Sequence, residues 1–440
     1  MDNKFDLTRG PVSRRLLKIA LPIVSTQVIQ MTYNLTDMFW LGRVGYGAVA
    51  ASGTAGLYIW LSVGFMLLGR MGAEIGVSQS LGRGDDTAAL EYSQNAMFIA
   101  ALSGVLFGAS LIAFNRQLVG FFNFQEAYVA ADTQVYISII GISMPLSFVS
   151  SVIAGTFNAS GDTKTPFIIN GAGFLLNMAA DPILIFTFGL GVKGAAMATV
   201  IAQTAVCVLM VYAIKKSGGR PFETYKMFVR PLRGRLKQIL KWTVPIGLES
   251  CLFCFLTMLT SRFEVSFGAY AMAVGRVGSQ IESLSWLVGG SFGSALTAFV
   301  GQNYGAGEKD RVRAGVKTGA LYMTCWGIGV TMLLYFAGGA IFGAFLPDPS
   351  LTALGIKYLR IIAACQIPMN LEAVAGNAYK GTGRTVKPSV VSITSNIIRV
   401  PLAYLLSRMV GLTGVWVAVS ATACLRGVWI SAWYIKDEYY

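Results

Sequence analysis

Uncharged apolar stretches long enough to cross a lipid bilayer recur along this chain. Tyr92–Asn115 and Thr133–Gly161 hold no charge, and Lys317–Leu346 holds none after its first residue. About 20 apolar residues cross the hydrocarbon, and inside it only helices and closed barrels satisfy their own backbone. Stretches of this length are helical, so the chain is expected to be an all-α membrane protein. Composition agrees: 54% of the residues are hydrophobic and 13% charged, where soluble domains carry about a quarter charged. Counting the interrupted stretches as well predicts twelve transmembrane helices, over residues 17–42, 46–80, 92–114, 133–158, 166–189, 192–214, 239–262, 269–300, 316–346, 353–379, 388–407 and 411–434.

The first half of the chain recurs in the second about 223 positions later. Pro22 returns as Pro245, Gln79-Ser80-Leu81-Gly82-Arg83-Gly84 as Gln302-Asn303-Tyr304-Gly305-Ala306-Gly307, and Pro145 as Pro368. The register then slips slightly, so that Gly161 through Pro166 matches Gly383 through Pro388, and Asn177 and Pro182 match Asn396 and Pro401. Six helices per copy make the repeat parallel, related by an axis along the membrane normal. That architecture lets one half rock against the other around a shared site, as in transporters. The expected division is an N-lobe over 1–214 with spans one to six, a linker over 215–238, and a C-lobe over 239–440 with spans seven to twelve.

The net charge of +14 raises the question of nucleic acid, but its placement answers it. Lys and Arg collect at one end of each hairpin, as Arg14, Arg15 and Lys18, Lys164, Lys309, Arg311 and Arg313, and Lys380, Arg384 and Lys387. The linker run from Lys215 to Lys241 adds nine more. Basic residues mark the cytoplasmic side, so both termini are expected there, against the lipid headgroups of a plasma membrane, with no nucleic-acid partner. Within the linker region, Arg233 to Trp242 has the pattern of an amphipathic helix lying on the membrane surface. The opening residues lack the order of a cleavable signal, so the first span is expected to be retained.

Several motifs read as structure. All six cysteines fall within predicted spans, as packing residues and not as a disulfide framework, Cys251 and Cys254 included. The Gly82 to Asp85 and Gly305 to Glu308 turns each end a long helix on glycines and offer an acid to the next. In the turns from Gly161 and Gly383, the proline opens the following helix. Gly155 to Thr163 lacks the Gly-Lys-Ser/Thr ending of a phosphate loop, which excludes ATP binding there.

Ionisable residues inside spans are costly and point to function. Arg70 and Glu74, four apart, can neutralise each other on one helix face. Arg276 and Glu282, six apart, face different ways, so each needs another partner. Asp37 and Asp181 stand out because each has a polar group one turn earlier, Tyr33 and Asn177 respectively. Pro182 has no N–H for the Met178 carbonyl, leaving an oxygen beside Asn177 for water or a cation. Carboxyl groups in such a cavity can exchange a proton for Na⁺, so Asp37, Asn177 and Asp181 form a candidate Na⁺ site; no cofactor is expected. The repeat supplies no acid opposite them, at Thr260 or Val400. Glu249 and Glu372 each follow a proline by four residues and are expected to line a second-lobe cavity, with Arg276 and Glu282.

Twelve spans in two repeats, with Asn34-Leu-Thr-Asp-Met-Phe-Trp-Leu-Gly42, Gly161-Asp-Thr-Lys-Thr-Pro166, Asn177-Met-Ala-Ala-Asp-Pro182 and Val300-Gly-Gln-Asn-Tyr-Gly-Ala-Gly307, resemble the multidrug and toxic compound extrusion (MATE) transporters. The resemblance covers essentially the whole chain. Within that family the pattern is similar to the DinF branch, and this implies a first-lobe ion-coupling cavity lined by Tyr33, Asp37, Asn158, Asn177, Asp181 and Thr199. The NorM branch is implied to use acids on spans seven and ten for Na⁺; Glu249 matches the first of these, and Glu372 falls out of register with the second.

The expected function is that of a monomeric secondary antiporter, not an enzyme, exporting small organic compounds, cationic ones foremost, in exchange for H⁺ or Na⁺. The alternative is a lipid-linked oligosaccharide flippase of the same superfamily, for which Arg276, Arg399 and Arg426 would face an anionic pyrophosphate. An intramembrane enzyme is disfavoured: without histidine there is no Ser-His dyad and no histidine-bound metal.

Overall fold

The computed structural model describes residues 6–122, 124, 126–216, 225–227, 229–265, 267, 269–345 and 349–439, with the backbone alone at a few helical positions, Arg276 among them. Among the described residues there is no β-strand. The first copy comprises α1 (Val12–Val44), α2 (Tyr46–Gly82), α3 (Asp86–Ala113), the short α4 (Asn115–Gly120), α5 (Ala127–Ser160), α6 (Lys164–Pro182) and α7 (Val192–Lys216). The second comprises α8 (Arg233–Val265), α9 (Ala269–Gly305), α10 (Lys309–Phe336), α11 (Gly338–Phe345), α12 (Pro349–Ala363), α13 (Gln366–Gly381), α14 (Val386–Val410) and α15 (Leu412–Tyr439).

Ten of these helices are long and apolar enough to span a membrane, and α12 with α13, bent by 42°, makes an eleventh. The twelfth span is α1, 33 residues long, whose apolar run is interrupted by Gln27, Gln30, Asn34 and Asp37. The helices overrun the apolar stretches because polar first and last turns extend beyond the hydrocarbon. The ninth predicted span, 316–346, is divided between α10 and α11, with Ala337 ending α10. The stretch from Arg233 to Trp242 is no separate surface helix; it forms the first turns of α8. Its apolar side has a protein surface to cover, because Ile239 and Trp242 pack into the core of the first copy.

Matching turns close matching helices. Gly161 and Gly383 adopt φ of 89° and 77°, left-handed values that cost an L side chain energy and glycine nothing. Gly161 N–H then donates to the Asn158 carbonyl and Asp162 N–H to that of Phe157, while Gly383 and Arg384 do the same to Lys380 and Tyr379. Asp85 caps α3, accepting from Ala88 N–H at 2.9 Å.

The two copies exchange arms at the basic end. Leu16, Ile19, Ala20 and Ile23 of α1 are buried among α9, α10 and α13. In return Ile239, Trp242 and Ile246 of α8 are buried against the first copy. Arg70 and Glu74 pair at 3.0 Å, and Ser294 of α9 donates to both Glu74 oxygens at 3.2 and 3.3 Å.

Candidate functional site

Near the end of α6 the chain meets Pro182 and answers the missing N–H by widening into a π-helical turn over Ile183–Thr187. Such turns are frequent at functional sites. Asn177 and Asp181 sit one turn apart just before it, 2% and 0% exposed. With its amide turned to satisfy its neighbours, Asn177 donates to Asp181 Oδ2 at 2.9 Å and accepts from the Thr199 backbone N–H of α7 at 3.1 Å.

Asp37 reaches the same group from α1 and interacts electrostatically with Asp181. The Tyr33 hydroxyl meets the Thr199 side chain and the field of both acids, and its ring stacks on Phe174 of α6 with centroids 5.5 Å apart. Asp37 Oδ1 and Asp181 Oδ1 are both buried without a hydrogen-bond partner. Among the described residues no Lys or Arg forms an ion pair with either acid. Uncompensated buried carboxylates are costly, and chemically such a cluster can be relieved by a proton or a cation. A cleft beside it is lined by Tyr33, Asn170, Phe174, Asn177, Thr199 and Gln203.

Tyr33, Asp37, Asn177, Asp181 and Thr199 thus come together from three helices. Asn158 does not join them. It occupies the last turn of α5 with its Oδ1 unpartnered, at the basic end, whereas Asp37 lies towards the far end of α1. The α5 residue that does reach the cluster is Tyr136, about six turns of helix away; it is 5% exposed and interacts with Thr199, Asp37, Tyr33 and Asp181. A tyrosine in an apolar run carries little sequence signal. Asn170 was more legible, because it precedes Asn177 by seven residues and so shares its face of α6.

The second copy differs in kind. Glu249 and Glu372 line one cavity with Asn377, Lys380 and Arg426. Glu372 is paired with Arg426 at 2.8 Å, and Glu249 accepts from Ser389 Oγ at 2.9 Å. Glu282 finds its partners in Arg399, Gln366 and Tyr358, while Arg399 also donates to Thr422 Oγ1 at 3.0 Å. The side chain of Arg276 lies outside the described residues. Among those described, no three His, Cys, Asp or Glu converge as a metal centre.

Comparison with known proteins places this geometry in a family. The MatE family model matches residues 22–183 and again 245–405, once per copy. A probable multidrug resistance protein NorM of Thermotoga maritima is 26% identical over 94% of this chain and 90% of its own. The multidrug export protein MepA of Staphylococcus aureus is 20% identical over 98% of this chain and 95% of its own. Among solved structures, MATE in complex with MaD3S superposes with a TM-score of 0.92 at 18% identity, over 100% of this chain and 99% of that one. An outward-facing MATE family transporter of the MOP superfamily gives 0.92 at 18% identity over 100% and 98%. Both copies match the same family model, together they cover most of the sequence, and the chain belongs to the MatE family of transporters.

Proposed function

We propose that this chain is a secondary active antiporter of the cytoplasmic membrane, exporting small organic compounds, chiefly cations, in exchange for H⁺ or Na⁺. The observation that carries the reading is that half-buried Asp37 and buried Asp181 each hold a buried, unpartnered carboxyl oxygen in one cluster, with no cationic partner among the described residues. Such a pair changes its charge when it gains or loses a proton or Na⁺, and a membrane-buried charge difference biases the two lobes between conformations. The relatives named for multidrug resistance and export support the substrate class. The reading puts both termini and the basic loops on the cytoplasmic side, with the chain acting as a monomer.

A flippase would need free cationic groups to meet a lipid pyrophosphate. Arg426 and Arg399 are already engaged with Glu372, Glu282 and Thr422, which weighs against that reading. The deciding experiment is efflux of an organic cation such as ethidium from proteoliposomes under a pH gradient or a Na⁺ gradient, each imposed alone. Transport driven by one of them supports the proposal; ethidium movement that ignores both refutes it.

A further inference from the structure

The repeated Gln-x-x-Gly motif of α2 and α9 is left unexplained by the acidic site. In α2, Gln79 Nε2 crosses to the other lobe and donates to the Gly381 carbonyl at 2.9 Å. In α9, Gln302 Nε2 makes the mirrored bond to the Ala159 carbonyl at 2.8 Å. Both bonds are buried.

The acceptors are the carbonyls that the glycine turns leave over. Gly161 and Asp162 take the carbonyls of Asn158 and Phe157, and Gly383 and Arg384 take those of Lys380 and Tyr379. Ala159 and Gly381 come next in each helix, where no following backbone N–H is positioned to reach them. Each is met by an amide from the opposite lobe. Close approach makes this geometry accessible: a Cβ on Gly82 would lie 2.0 Å from the Gln302 carbonyl oxygen, and one on Gly305 2.1 Å from that of Gln79. The same two residues of each copy therefore supply the bond and the backbone clearance.

We propose that Gln79 and Gln302 form a two-armed latch that holds the basic ends of the lobes together in the state seen here, and that this latch must open for the transport path to reach the basic side. Alternating access requires the lobes to part at one end at a time. Here four helices, α2, α5, α9 and α13, are held in two reciprocal pairs by amides that carry no charge. Parting the arms exposes two amides and two carbonyls to water, which rehydrates them. A neutral bond of this type therefore costs little net and suits a contact that is made and broken in every cycle. The inference requires that the chain be a transporter, but not that Asp37 and Asp181 couple it.

The test is double electron–electron resonance on full-length protein in lipid nanodiscs, in a transport-competent chain freed of its native cysteines. Nitroxides would sit at Thr87→Cys and Asp310→Cys, exposed counterparts in the first turns of α3 and α10. Gln79→Met and Gln302→Met keep the side-chain length and remove the donor. Each single variant should shift the ratio of long to short distances about fivefold, and the double variant about 25-fold, by the usual worth of a buried amide bond. Unchanged distances in a folded double variant, or in either folded single variant should the double not fold, would overturn the latch. So would variants that lose thermal stability without any change in the distance populations, because that marks a static helix cap.

Discussion

Arg426 Nη2 stands 2.8 Å from Glu372 Oε2, inside the cavity that Glu249 also lines. The second lobe therefore carries its own cation beside one of its acids, where among the described residues the first lobe carries none paired with Asp37 or Asp181. Duplicated helices have diverged in their charge pattern, and the divergence separates a group that can take up an ion from one already neutralised.

Removing either member of that pair should cost stability, because the survivor is left largely buried and unpaired. Arg426→Leu and Glu372→Gln should each lower unfolding stability by about 1–3 kcal/mol, while the double variant recovers much of the loss. Thermal unfolding of the four proteins in one detergent gives the coupling. Additive single effects would mean that the pair contributes nothing as a pair.

Asp37→Asn keeps the shape of the first-lobe cluster and removes its ability to change charge. Ethidium efflux by cells expressing this variant should fall at least tenfold, with protein level in the membrane unchanged; Asp181→Asn should behave alike. Tyr136→Phe, which keeps the ring and loses the hydroxyl near Thr199, should give a smaller loss. Wild-type efflux by Asp37→Asn would remove the acid from the mechanism.

Much of this was legible beforehand, and the reason is physical. Spans announce themselves by apolar length, and the turns by glycines in matching positions such as Gly161 and Gly383, so helix number and duplication followed from local rules. Asp37 and Asp181 stood out because a charge in hydrocarbon is costly wherever it lies. What stayed hidden depended on how helices are set against one another. Nothing local in Leu16 or Ile239 tells that each is buried in the opposite copy. Asn158 and Tyr136 lie on one helix, and only the packing of α5 against α7 decides which comes near Thr199 and Asp37. Glu282 needed a partner, and Arg399, 117 positions away in sequence, was reachable only through the fold.

Gly305→Ala should act far beyond the size of a methyl group. Its Cβ would fall 2.1 Å from the Gln79 carbonyl oxygen, a backbone atom that cannot swing aside. The lobes can then no longer close fully at the basic end, so efflux should drop while the folded fraction stays near the native value. Gly290→Ala on the same helix, where nothing lies within 4 Å, should leave efflux unchanged and serves as the control. Equal efflux from both variants would contradict the close crossing of α2 and α9.

The linker offers a pH-dependent outcome. Tyr225, described between Lys216 and Arg233, is 6% exposed, and its hydroxyl lies 2.9 Å from Ser93 Oγ, which in turn lies 2.9 Å from Thr156 Oγ1. Burial pushes its ionisation up to about 12, against about 10 for a tyrosine in water. Because the neutral form is the one that docks, its contribution is complete below pH 10 and is lost as the pH rises towards 12. Gln94 Nε2 donates to the Lys226 carbonyl at 2.8 Å and Leu232 N–H to Asn95 Oδ1 at 2.8 Å, so these backbone contacts should loosen with it. Hydrogen exchange of the peptide spanning 225–232 should therefore rise above pH 10 beyond the ordinary base-catalysed increase. In Tyr225→Phe the excess should vanish, because no ionisation remains to release the ring. An excess that persists in Tyr225→Phe would assign the alkaline loosening to another group.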